Sequence, residues 1–159
     1  MGLTTDPNDP RLGHGIDEDR KGMNEVYLVL SPEELAKEFK RPVRQSYIHV
    51  GAPGPKFPLR DLTPEEAERY KDWDYAKYEE YPEGYWGSVT GRFWTQKRLD
   101  SVEKGCGCVT TMNRTLAETY ARDPQFYGAT FCVGCQTHLR VGEDGEFIWD
   151  DGTGQRVGA

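Results

Sequence analysis

Cys106-Gly-Cys-Val-Thr-Thr-Met112 opens, and Phe131-Cys-Val-Gly-Cys135 closes, the stretch whose reading decides the fold. It holds all four cysteines of the 159-residue chain, as a CxC pair, 23 intervening residues and a CxxC pair. A CxxC at the end of a strand, with glycine at its third position, permits a tight turn whose backbone N–H groups point at sulfur, which is the geometry of a zinc knuckle. Between the pairs lies enough chain for one helix and one strand to return the second pair to the first. The expectation is therefore a structural zinc ion held by Cys106, Cys108, Cys132 and Cys135. A CxC pair is less common than a second CxxC and can supply a single ligand. In that case His49, at the end of a strand, or His138, three residues past Cys135, would complete the set. An iron–sulfur centre, redox or disulfide chemistry, and unliganded buried cysteines stay open as other readings of the same four residues.

A site closed by four protein ligands keeps no position for water, so its default role is stability rather than catalysis. Zinc deaminases also use a CxxC, but they need an H-x-E element and a proline before the first cysteine. Here Phe131 precedes Cys132, and none of His14, His49 and His138 has a glutamate two positions on. No dinucleotide-binding glycine motif, phosphate loop, HExxH or GxSxG occurs. His14-Gly-Ile-Asp17 imitates part of an acid–base pair but sits in a glycine-rich arm, and the carboxylates at 143–146 and 150–151 sit in Asp-Gly contexts that turns explain. The chain is read as no enzyme, with catalytic and cofactor-binding residues both none.

Working outward, residues 1–24 carry Pro7, Pro10, Gly13, Gly15 and Gly22 among charges and read as an extended arm. EVYLVL (25–30) is a strand. Ser31-Pro32-Glu33-Glu34 has the cap residue, first-turn proline and third-position glutamate that start a helix, here over 32–40 with Leu35 and Phe39 inward. RQSYIHV (44–50) is a second strand, with Tyr47 and His49 on one face. The same start signal recurs as Thr63-Pro64-Glu65-Glu66 and predicts a helix to about residue 80, with Ala67, Tyr70, Trp73, Tyr78 and Tyr81 on one side as an aromatic stripe expected to pack as core. GSVTGRFWT (87–95) is a strand candidate, and Arg92, Lys97, Arg98 and Lys104 read as a solvated basic face. Thr111 or Asn113 caps a helix to Arg122 bearing Met112, Leu116 and Tyr120 on one line. The tail is β at 127–133, 138–141 and 146–149, with a hairpin signal at Asp144-Gly145.

These pieces give an α+β domain: a small mixed or antiparallel sheet, about three helices and a zinc-ribbon-like part over 105–159. The apolar fraction is 36%, with 4 Trp, 9 Tyr and 6 Phe supplying much of the burial. A core this thin benefits from coordination that ties helix, strand and hairpin together without apolar volume.

Net charge is −7, and residues 1–87 hold 12 basic against 18 acidic residues while 88–159 hold 8 against 9. Such acidity gives a nucleic-acid partner no support. No run approaches the roughly 20 apolar residues of a membrane span, and the N-terminus lacks the pattern of a secretory signal, so a soluble intracellular product is expected.

The stretches Cys106–Met112, Leu116–Pro124, Phe126–Cys135 and Phe147–Asp150, with Arg41-Pro-Val-Arg44 and Ser46-Tyr-Ile-His-Val50, resemble small phage-encoded cysteine-containing proteins of unassigned function. In that group the histidine-bearing strand leads almost directly into the C-G-x-x-T-T-M motif. The resemblance therefore implies that 51–104 is an insertion, read here as helical. It carries over Cys106, Cys132 and Cys135 as ligands, and weights Cys108 less and His49 more as the fourth. It also implies a viral origin. The expected function is a non-enzymatic phage structural or interaction protein, virion-associated in the manner of a capsid accessory protein. The alternative is a small intracellular regulator that binds a host protein. Partners are then virion or host proteins or a second copy of the chain, and the location is the host cytoplasm during synthesis and the virion afterwards.

Overall fold

A computed structural model describes residues 2–13 and 20–159. In chain order these form β1 (Gly2–Thr4), β2 (Val26–Leu28), α1 (Pro32–Leu35), β3 (Ser46–His49), β4 (Leu59–Asp61), α2 (Pro64–Arg69), β5 (Tyr75–Glu80), β6 (Gly91–Thr95), α3 (Gln96–Ser101), β7 (Val109–Thr111), α4 (Arg114–Arg122), β8 (Ala129–Cys132), β9 (Thr137–Arg140) and β10 (Phe147–Trp149). The class is α+β. The chain divides into two compact units, Met1–Gly51 with Gly105–Ala159, and Ala52–Lys104.

The first unit is built on the antiparallel sheet β10-β3-β7 and the antiparallel pair β8-β9. In β3 alternate residues face one side, so Tyr47 and His49 point inward together. They sit opposite Trp149 and Phe147 of β10, and Tyr47 meets both rings edge-on, with centroids 5.2 and 6.3 Å away. α4 starts at Asn113, whose side chain accepts from the Thr115 N–H. It buries Leu116, Ala117 and Tyr120 against the same aromatic group, and Asp123 before Pro124 ends it. Cys132 belongs to this core and is fully buried.

Several expectations change. The segment at 2–24 is no free arm where it is described: β1 pairs in parallel with β2, and Gly22 and Arg20 bond to Gln136 and Thr137. α1 ends at Leu35 rather than residue 40, because the N–H groups of Lys40 and Arg41 both turn to the Ala121 carbonyl; this leaves Phe39 exposed. The Asp144-Gly145 turn does not fold β9 onto β10. It sends the chain from the β8-β9 pair into the other sheet, where β10 joins β3.

The second unit is sheet-based, not helical. Its antiparallel sheet has the order β4-β5-β6. The capping box is present, with the Thr63 hydroxyl accepting from Glu66 N–H and the Glu66 carboxylate from Thr63 N–H. The helix nevertheless ends at Arg69, and Asp74, at φ 56°, reverses the chain into β5. The side chains counted as a helical stripe divide accordingly: Tyr70 and Tyr78 lie against Phe93 of the sheet, where Tyr75 joins them, while Trp73 is 63% exposed. On the other face Trp94 is fully buried between Arg92 and Arg98, whose guanidinium groups lie 4.4 and 5.0 Å from its ring. These two arginines are structural rather than a solvated face. Glu79, also buried, accepts from Trp94 Nε1 and from the N–H groups of Lys56 and Phe57.

Candidate metal centre

Three elements of the first unit converge. β3 ends in His49, the glycine turn at 105–107 carries Cys106, and the β8-β9 turn carries Cys132 and Cys135. The ligand atoms of these four residues all lie within 4.8 Å of one another. The individual spacings are short: Cys106 Sγ to Cys132 Sγ 3.4 Å, His49 Nδ1 to Cys106 Sγ 3.4 Å and to Cys135 Sγ 3.5 Å. A zinc ion with bonds of about 2.3 Å to sulfur and about 2.0 Å to nitrogen sets tetrahedral edges of roughly 3.5–3.8 Å. The donor set fits such an ion, and its soft sulfur-rich character with one imidazole suits zinc.

The chain supplies the surrounding support as well. His49 Nε2 lies 3.0 Å from Glu146 Oε1. A proton held there leaves Nδ1 free to ligate, and the carboxylate fixes the tautomer and ring orientation. Glu146 is itself placed by its carbonyl, which accepts from Val50 and Gly51. Cys135 N–H donates to Cys132 Sγ over 3.4 Å, as the CxxC turn requires. Gly134 has a separate reason to be glycine: a Cβ there would come within 2.6 and 2.7 Å of Cys106 and Cys108 Sγ.

Burial resists ionisation of Cys106, yet the Cys108 N–H and His49 outweigh it and draw its thiol down to about 6. Burial and the neighbouring Cys132 push Cys135 up to about 12, and burial raises Cys132. The hydrogen bond that His49 donates to the Glu146 carboxylate raises the pKa of His49.

Matched against protein families, curated proteins and solved structures, the chain finds no counterpart. The reading of the site rests on its own geometry.

Of the residues expected from sequence, Cys106, Cys132 and Cys135 meet, with His49 in the fourth place. Cys108 stands outside the four. Its carbonyl accepts from His49 N–H, extending the β3-β7 ladder, and its side chain is exposed. His138 is engaged elsewhere: its Nε2 lies 2.7 Å from the Tyr27 hydroxyl, and burial lowers its pKa. His14 and Asp17 lie outside the described residues. Asp151 pairs with Arg44 at 3.3 Å and accepts from Thr153, so that carboxylate serves a turn. Glu146, grouped with the turn carboxylates in sequence, is the support of His49; its place opposite the histidine strand has no local signature. No described helix is long and apolar enough to cross a membrane.

Proposed function

We propose that the protein is a non-enzymatic phage structural or interaction protein whose first unit is held by one structural zinc ion in a zinc-ribbon-like arrangement. The observation that carries this is the closed set of His49, Cys106, Cys132 and Cys135, with Glu146 fixing His49 from behind. Four protein donors fill a tetrahedral ion, so the ion's chemistry here is to clamp β3, the 105–107 turn and the β8-β9 turn. Glu146 faces the imidazole rather than the space among the sulfurs, and so acts as a positioning group.

The interaction role is supported by the second unit, which exposes Trp73, Tyr85, Trp86 and Val89. Large aromatics left in water are the residues on which protein interfaces are anchored. This favours an intracellular regulator that binds a host protein over a capsid accessory protein, because β1 is paired within its own chain instead of reaching to a neighbour.

Elemental analysis of the purified protein together with its mass in solution tests the reading. One zinc per chain is expected, and protein that takes up no metal under reducing conditions overturns it. Mass spectrometry of purified particles separates the two roles: a stoichiometric copy number assigns the virion, and absence from particles assigns the regulator.

A further inference from the structure

Beside the four clustered donors stands one more sulfur, Cys108, placed to act on one of them. Cys106 and Cys108 flank Gly107, whose φ of 75° turns the chain sharply between them. Both sulfurs then approach the bare Cα of Gly134, each within 2.7 Å of the point where a Cβ would stand, so they are neighbours on one side of the turn. Both are exposed, but Cys106 is one of the four clustered donors, whereas Cys108 has no place among them.

We propose that Cys108 is an oxidative modification site, the point at which a hydroperoxide enters the cluster and, through a Cys106–Cys108 disulfide, expels the ion. This rests on the metal reading above. In the first step the Cys108 sulfur attacks the outer oxygen of the hydroperoxide. An S–O bond forms, the O–O bond breaks, the thiol proton passes to the departing oxygen, and the products are Cys108 sulfenic acid and an alcohol or water. In the second step the Cys106 thiolate attacks the Cys108 sulfur and would no longer be available to hold an ion. The S–S bond forms, the S–O bond breaks, and hydroxide departs to take a proton from solvent. Two sulfurs have given one electron each, and the peroxide has accepted both.

Without Cys106, only His49, Cys132 and Cys135 would remain to hold an ion, which is a weak structural set. A disulfide spanning a single residue closes a small strained ring, so thiols reduce it readily and the cage can re-form. Cys106, although exposed, and Cys132 and Cys135 are poorer entry points, since all three belong to the cage and Cys132 is also fully buried. Gly134 has a role in this arrangement too, because any side chain there would push the two sulfurs away from their shared position.

The test uses the full zinc-loaded chain and hydrogen peroxide, with released zinc read by a chromogenic chelator and disulfides located by peptide mapping. Wild type should release its zinc in step with a Cys106–Cys108 bond, and dithiothreitol with added zinc should restore it. C108S should start with the same zinc content and release it more slowly by roughly tenfold, since the exposed entry thiol is gone. Equal release from C108S, or a bond mapped to Cys132–Cys135, overturns the proposal. If the chain binds no zinc, the metal reading fails by itself. Peptide mapping of the metal-free chain then decides the thiol pair: a Cys106–Cys108 bond retains it, and any other pattern removes it.

Discussion

At the scale of single residues, two side chains combine burial with charge, and each is satisfied by a specific neighbour. Glu146 donates nothing to a metal directly, yet Glu146→Ala should lower zinc affinity by roughly 10–100-fold, the usual cost of removing a carboxylate behind a ligating histidine. Competition with a chromogenic chelator measures this, and unchanged affinity would detach Glu146 from the site. Glu79→Ala removes the acceptor shared by Trp94 Nε1, two backbone N–H groups and Arg92, which lies 3.4 Å away. Breaking a buried pair on one side costs about 3–5 kcal/mol, so the second unit should unfold in this variant, as read by Trp fluorescence in urea. Sequence pattern identified three of the four donors through their spacing. It ranked the fourth wrongly, because Cys108 is near in sequence whereas His49 is 57 positions from Cys106, and only strand pairing brings it back.

At the scale of elements, local chemistry was legible where a motif completes itself within a few residues. The Thr63 and Ser31 caps, the Asn113 start of α4 and the CxxC turn all form as their residues dictate. What the sequence concealed was where pairing partners lay. The 70–80 segment has helical spacing, but Tyr75 and Tyr78 lie against Phe93 of a strand that arrives later in the chain, and that long-range pairing overrides local propensity. Thr63→Ala should cost about 1 kcal/mol of second-unit stability, seen as a lower urea midpoint. The same box is sensitive to acid. Arg60, hydrogen-bonded to it, draws Glu66 down to about 2, below its unfolded value. The pairing therefore contributes fully above the ordinary glutamate range near 4.3 and is lost as pH falls towards 2. Glu66→Gln should flatten that part of the acid-unfolding curve, and an unchanged curve would show that the Arg60 contact contributes nothing.

At the scale of the whole molecule, the segment Ala52–Lys104 has both ends close together: Ala52 bridges Val102, while Gly105 lies directly against the His49 carbonyl. A chain in which Gly51 is joined to Gly105 should therefore fold and bind one zinc, as judged by circular dichroism and elemental analysis. Failure to bind zinc in a soluble product would make the segment part of the site's support rather than a passenger. The sheet character of this segment was not legible in the sequence, since each strand needs the other two.

The 57-residue separation between His49 and Cys106 means that an ion bound there would also be a clasp on a long loop. Closure entropy rises only with the logarithm of loop length, by about 0.6 kcal/mol for each doubling. Evolution can thus lengthen, shorten or exchange what hangs from that clasp at little cost to the cage, and diversity among such chains should gather there while the four donors stay fixed.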